Sequence, residues 1–379
     1  YNNEIAEDSV RGNIGVYLDL MLCVGILWSY VVGAISSYFW LSVSCCMIPI
    51  VFLLTFFWMP ESPIHLLAQG KAEDAEMALR WLRGAKPYHQ YDTGPEMEKM
   101  QSMVDQAQER ARSSVKISDY SSFKEKLSSF SLRSTTTKAI AIAFGLMTFQ
   151  RLSGVSAVVY YTVDIFRGAG TSIPPTTATI IVGVVSVIAS ATSACLVDRL
   201  GRRFLLIMSD AIMAISLAVM GIYFVYKDSV GTAVSLWTWI PVVFVNLYII
   251  GFSMGFGCLP WFMAAEIIPK EVQSWANSVI VFYSFFLSFI VLKVFIMFVN
   301  TLGNVVTFGF FSVSCFLGIL FVYFYVPETK DKSPLEIQAS IRLGVRYKIN
   351  YLNANSRSEA TVLLSPLKKQ KLPGTASIK

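Results

Sequence analysis

The chain has 379 residues, of which 54% are hydrophobic and only 15% charged, with a net charge of +6 and a mean hydropathy of +0.55. A soluble domain carries nearer a quarter charged residues, so the composition excludes an ordinary soluble fold and points to a polytopic membrane protein. All six cysteines (Cys23, Cys45, Cys46, Cys195, Cys258 and Cys315) lie inside apolar runs, which excludes a disulfide framework. His65 and His89 stand in a polar segment without metal-ligand spacing.

In chain order, Tyr1–Glu4 reads as loop, with no initiator Met and no signal peptide, and suggests an N-terminally incomplete chain. Eight apolar runs then approximate the length needed to cross a bilayer: 14–36, 38–59, 138–166, 176–197, 204–226, 237–264, 276–299 and 305–325. Between the second and third lies a polar insertion, 60–137. Within it, 72–83 is an amphipathic helix with Ala72, Ala75, Ala78, Leu79 and Leu82 on its apolar stripe, closed by Gly84 and Pro87. A second, strongly charged helix runs from Glu96 to Arg112, after the Gly94-Pro95 break. Beyond Pro327 the chain turns Ser-, Lys- and Asn-rich, and its end has the composition of a disordered tail.

Charge sets the orientation. Arg11, the insertion 60–137, Arg199, Arg202, Arg203, Lys270 and the basic tail fall on one side, and the alternate loops are short and nearly uncharged. The positive-inside rule places both termini and the insertion in the cytoplasm. This topology accounts for the net charge without a nucleic-acid partner. No metal cluster, nucleophile–base set or phosphate loop occurs, so neither an enzyme nor a cofactor is implied.

The stretch Phe149-Gln150-Arg151-Leu152-Ser153-Gly154 followed by Tyr160-Tyr161 stands out within the third span. On helical spacing Gln150, Gly154, Ala157 and Tyr161 share one face. Polar groups at that depth normally face a bundle interior or a water-filled cavity, so the face reads as a substrate-binding stripe. A helix–helix contact through Gly154 is the competing reading. The sixth span carries Gly251, Gly255, Gly257 and Pro260, a hinge pattern, followed by Trp261 as an aromatic plate.

A repeat links the two ends of the chain. Glu4-Ile5 with Val10 recurs as Glu266-Ile267 with Val272, and Pro60-Glu61-Ser62 as Pro327-Glu328-Thr329, each set bracketing a pair of spans. Parallel repeats of this kind are a transporter architecture. Four spans precede Glu266 and none precedes Glu4, so equal halves would require four further spans. That is roughly 120–130 residues, on the spacing of Lys138 to Glu266.

Taken together, these segments resemble the sugar-porter family of the major facilitator superfamily. The residues that carry the resemblance are Gln150-Arg151-Leu152-Ser153-Gly154 with Tyr160-Tyr161, Asp198-Arg199-Leu200-Gly201-Arg202-Arg203, Gly257-Cys258-Leu259-Pro260-Trp261, Pro60-Glu61-Ser62-Pro63 and Pro327-Glu328-Thr329-Lys330. Within that family the wording is most similar to the insect facilitated trehalose transporters. The resemblance implies an all-α polytopic protein of the major facilitator fold, with eight of about twelve transmembrane helices present. The last two helices of an N-terminal half would occupy 1–59, a cytoplasmic helical linker domain 60–137, a six-helix C-terminal half 138–326, and a cytoplasmic tail 327–379.

It further implies a facilitative alternating-access transporter of a hexose or a disaccharide such as trehalose, in the plasma membrane. The alternatives are a non-transporting sugar sensor and a transporter of another small polar solute. Gln150, Arg151, Ser156, Tyr160, Tyr161, Trp261, Asp19, Ser284 and Ser288 become the candidate substrate contacts. Glu4, Arg11, Asp198, Arg199, Arg202, Arg203, Glu266, Glu61 and Glu328 become a gating ion-pair set, with Gly154, Gly255, Gly257 and Pro260 as hinges. The lipid bilayer and a small sugar are the only partners implied.

The departures from the family pattern concentrate at the site. Arg151 replaces a second Gln, Ser156, Ser186, Ser284 and Ser288 replace amides, Phe285 stands where Trp is common, and Asp19 replaces a Gln. A carboxylate and a guanidinium that both replace cavity amides suggest an ion pair, Asp19 with Arg151. Asp210 lies near enough to the inner end of its span to be expected in contact with solvent.

Overall fold

The computed structural model describes residues 5, 11–84, 93–115, 135–230, 237–269, 272–330, 332 and 334–343, and among them every regular element is an α-helix. α1 (Arg11–Ile35) and α2 (Tyr38–Phe56) form the first antiparallel pair. α3 (Pro63–Ala68), α4 (Ala72–Leu82) and α5 (Gly94–Val115) make up the polar insertion. α6 (Thr135–Leu152), α7 (Val155–Tyr160) and α8 (Thr162–Ala169) follow, then α9 (Pro175–Leu200), α10 (Arg202–Val230), α11 (Ile240–Met254), α12 (Leu259–Ile267), α13 (Gln273–Thr301), α14 (Gly303–Tyr325) and α15 (Pro334–Leu343). Seven helical stretches among the described residues are long and apolar enough to cross a membrane, and the apolar part of α1, Asp19–Ile35, is a shorter eighth.

Two of the apolar runs expected as continuous spans are broken. The third is cut into α6, α7 and α8. Gly154, between α6 and α7, has φ 86°, a left-handed conformation open to glycine at little strain, and a Cβ there would stand 2.9 Å from the Phe311 ring. The sixth is cut between α11 and α12. There the Gly257 N–H reaches back five residues to the Phe252 carbonyl at 2.8 Å, a wider turn than an α-helix makes. Pro260 does not kink a helix, as its position suggested. It lies in the first turn of α12, where its missing N–H has no intrahelical partner to lose. A Cβ on Gly255 would sit 2.6 Å from the Ser209 Cβ and 2.8 Å from the Leu205 carbonyl oxygen, so glycine lets α11 press directly onto α10.

The main core lies among α6 to α14, around Leu146, Phe166, Leu206, Met213, Tyr248, Phe256 and Phe308. α10 packs between α11 and α14, α9 between α1 and α11, and α6 against α12, α13 and α14. α2 buries no residue and is apolar around its whole circumference, the pattern of a span whose outer face meets lipid or other helices. In the polar insertion a small satellite core of Leu67, Ala75 and Val104 joins α3, α4 and α5. Arg83 fastens it by donating to Glu96 at 3.2 Å and to the Ile5 carbonyl at 3.0 Å. The sequence reading had α4 and α5 but not α3. It also took the chain after Pro327 as tail, whereas 334–343 is helical and packs on α6 and α12. Residues 344–379 lie outside the described residues.

Candidate functional site

The two helix breaks lie against each other, and Gln150 is where they meet. Its amide donates to the Phe256 carbonyl at 2.6 Å and to the Gly257 carbonyl at 3.1 Å, both inside the α11–α12 break. The side chain is 2% exposed, and its Oε1 has no hydrogen-bond partner among the described residues. The face expected to carry Gln150, Gly154, Ala157 and Tyr161 toward a cavity is therefore not a continuous cavity stripe. Gly154 interrupts it, Gln150 and Ala157 are buried in the bundle, and Tyr161 stacks on Phe295 at 5.3 Å. Sequence spacing assumed one unbroken helix, and the left-handed glycine ends that register.

Three further residues supply the breaks, and the sequence reading missed them. Tyr248 donates to the Ser153 carbonyl at 3.1 Å, Ser193 to the Met254 carbonyl at 3.3 Å, and Ser209 to the Gly251 carbonyl at 2.7 Å while accepting the Phe256 N–H at 3.1 Å. Broken backbone in an apolar layer must find such partners, since water is absent there. Hydroxyls inside long apolar runs were the only signal that could have found them.

A seam of polar contacts joins α6 and α7 to α13. Thr148 and Tyr283 share a hydrogen bond of 2.8 Å, the Arg151 Nε donates to the Ser284 hydroxyl at 2.9 Å, and Ser156 and Ser288 share one of 2.8 Å. The Arg151 guanidinium also lies over the Phe285 ring, 5.6 Å from its centroid. The serines expected to touch a ligand are thus engaged with protein partners and are buried. Arg151 keeps its two terminal amino groups beyond the Nε contact.

The expected Asp19–Arg151 pair is not formed in this conformation. Asp19 accepts the Ser190 hydroxyl at 2.8 Å on α9. Ser186 and Cys23 lie 3.2 Å apart beside it, and Tyr30 donates to the Val159 carbonyl at 2.7 Å, so α1 docks on α9 and α7 through polar contacts of its own. Tyr160 is 72% exposed, and Trp261 is half-buried against a cluster that includes Met147, Ala276 and Ile280. Asp210 is fully buried rather than solvated, because α14 closes over it at Gly318. A Cβ on Gly318 would stand 2.4 Å from the Asp210 carboxylate, and neither of its oxygens has a hydrogen-bond partner among the described residues.

One end of the helix bundle carries the charged set. Arg202 and Glu266 pair at 2.9 Å, with side chains 25% and 32% exposed. Glu328 was expected as an ion-pair partner but does something else. Its carboxylate accepts the backbone N–H groups of Arg202 (3.1 Å), Arg203 (3.2 Å), Thr329 (3.1 Å) and Lys330 (3.1 Å), and so sits on the N-terminus of α10. Arg203 donates to the Tyr323 carbonyl and covers that tyrosine's ring. Glu61, the repeat counterpart of Glu328, likewise accepts the N–H of its successor, Ser62, at 3.2 Å. Gln273 donates to the Ala265 carbonyl at 2.9 Å. Glu4 lies outside the described residues, and of Arg11, Asp198 and Arg199 only the backbone is described. Among the described residues no group of three or more His, Cys, Asp or Glu is placed to hold a metal ion.

This arrangement offers hydrogen-bond donors, aromatic surface and the oppositely charged side chains of Arg151 and Asp19 within the apolar bundle, with backbone breaks beside them.

A family model described as "Sugar (and other) transporter" matches residues 1–340. The facilitated trehalose transporter Tret1 of Aedes aegypti is 37% identical over 346 residues, covering 91% of this chain and 41% of that protein. Tret1 of Polypedilum vanderplanki is 38% identical over 346 residues, covering 91% and 65%. The chain therefore spans less than two thirds of the length of these relatives. Among solved structures, the proton:xylose symporter XylE of the major facilitator superfamily, bound to 6-bromo-6-deoxy-D-glucose, superposes with a TM-score of 0.63 at 23% identity, over 89% of this chain and 68% of that one. XylE from E. coli in a partially occluded inward-open conformation gives 0.64 at 22% identity, over 86% and 66%. The likeness extends to the fold, that of the major facilitator superfamily.

Proposed function

The chain belongs to the sugar (and other) transporter family, and from that premise we propose that the complete protein carries a sugar across a membrane by facilitated alternating access. The substrate is a hexose or a disaccharide such as trehalose, the molecule named for its relatives. The observation that carries this reading is the pair of broken helices, α6–α7 and α11–α12, placed side by side within the apolar layer. Irregular backbone at membrane depth is tolerated only where protein buries it or a water-filled cavity meets it, and discontinuous helices build the sites of many transporters.

In this reading 138–326 is one six-helix half and 1–59 supplies two helices of the other. Residues 60–137 are the cytoplasmic linker, and both termini of the complete protein face the cytoplasm of a plasma-membrane protein. Arg151, Tyr160, Tyr161, Trp261 and Asp19 line the substrate path, and Gln150 joins them when the breaks turn. The Arg202–Glu266 pair biases the state closed at the inner end. One observation favours a second reading, a sugar sensor without flux: Ser156, Ser284, Ser288 and Gln150 are engaged with protein groups.

The full-length protein in proteoliposomes tests both. Saturable uptake of labelled trehalose or glucose, unchanged when the pH gradient is collapsed, is the expected result. Sugar binding without uptake would replace the transporter by the sensor. Failure of every sugar both to bind and to enter would overturn the substrate class.

A further inference from the structure

Each broken helix has its freed backbone held by a side chain of the other. Gln150, in the last turn of α6, donates to the Phe256 and Gly257 carbonyls inside the α11–α12 break. Tyr248, on α11, donates to the Ser153 carbonyl inside the α6–α7 break. The two side chains are 2% and 1% exposed, so water takes no part. Helix ends leave carbonyls without intrahelical partners, and in an apolar layer a carbonyl stripped of its donor is strongly disfavoured. Neither break can change its dihedral angles without giving up, or exchanging, a bond that the other helix supplies. The remaining supports are one-sided: Ser193 reaches in from α9 and Ser209 from α10, and no bond described here returns from the α11–α12 break to a break in those helices.

We infer that Gln150 and Tyr248 are positioning residues that tie the two breaks into one two-state element, so that the α6–α7 hinge and the α11–α12 hinge turn together. The inference rests on the transporter reading for its purpose, though not for its geometry. Coupled in this way, α7 and α12 change position in one step, and the bundle has two packed arrangements rather than a continuum. Removing either bond lets one hinge move without the other. The defect then falls on turnover and leaves the affinity of the resting state in place.

The test uses the full-length protein with Cys258, a buried thiol at the α11–α12 break, as its only cysteine. Tyr248→Phe is the main variant, because it removes one hydroxyl and keeps the ring. Although that hydroxyl bonds the other break, its loss raises the rate at which a small maleimide labels Cys258 by about tenfold, the order expected for one buried hydrogen bond. It lowers sugar turnover by a similar factor while the equilibrium dissociation constant stays within about threefold. Gln150→Met, which keeps the length and loses the donor, raises the labelling rate alike, its dissociation constant rising as well because Gln150 also meets the substrate, and at saturating sugar the double variant is no slower than the slower single one. Unchanged labelling of Cys258 in Tyr248→Phe would overturn the inference, as would multiplicative losses of turnover in the double variant. If the native protein moves no sugar, the transporter reading fails, and the labelling still decides whether the breaks are tied.

Discussion

Replacing Glu328 by alanine separates two accounts of the charged end of the bundle. Sequence motifs assign this carboxylate to an ion pair with the arginines of 199–203. The geometry instead has it accepting four backbone N–H groups, two of them the leading donors of α10. Loss of a capping acceptor costs about 0.5–2 kcal/mol, and loss of a negative charge at a helix N-terminus adds about 0.3–1 kcal/mol, for a total of roughly 1–3 kcal/mol. The two N–H groups of the following turn can be rehydrated and add little. In the detergent-solubilised complete protein this is a melting temperature lowered by roughly 1–4 °C, at about 1 °C per kcal/mol for a chain of about 400 residues or more. Glu328→Gln, which keeps one acceptor oxygen in place, should lose about half as much. A double-mutant cycle then decides. Arg202→Ala combined with Glu328→Ala should show near-additive effects, whereas Arg202→Ala with Glu266→Ala should show a coupling of about 1–2 kcal/mol. A strong Arg202–Glu328 coupling with none between Arg202 and Glu266 would refute the capping argument.

Three other substitutions follow from particular contacts. Gly154→Ala should destabilise by about 2–4 kcal/mol, from the left-handed φ and the 2.9 Å approach to the Phe311 ring, read as a fall in melting temperature. Ser156→Ala alone should cost about 1–3 kcal/mol by leaving the buried Ser288 hydroxyl without its partner. Ser156→Ala with Ser288→Ala should recover most of that loss, and chemical-denaturation midpoints of the two variants make the comparison. Gly318→Ala forces a methyl against the Asp210 carboxylate and should cost about 1–3 kcal/mol. Asp210→Ala should suppress it, since the carboxylate contributes no hydrogen bond to the described residues. A double variant as unstable as Gly318→Ala alone would show that α14 is blocked by something other than Asp210.

Much of this protein is determined by local chemistry and is legible without coordinates. Apolar runs of membrane length locate the spans, because a span's length is set by the bilayer and not by its neighbours. Ala72–Leu82 shows its amphipathic stripe within three turns. The family is likewise carried by short contiguous motifs, from Gln150 through Trp261 to Glu328, which keep their wording whatever surrounds them. What tertiary structure alone decided is the partner of each polar side chain. Gln150 has the motif of a ligand contact, yet it holds a break more than a hundred residues away. Glu328 has the charge of a latch, yet it caps α10. Asp19 and Arg151 look like a pair in sequence, yet each takes a serine on a different helix. The reason is common to all of them. Hydrogen-bond partners are chosen by which helices pack together and by where a helix stops, and a single left-handed glycine at residue 154, or a wide turn at 255–258, resets both.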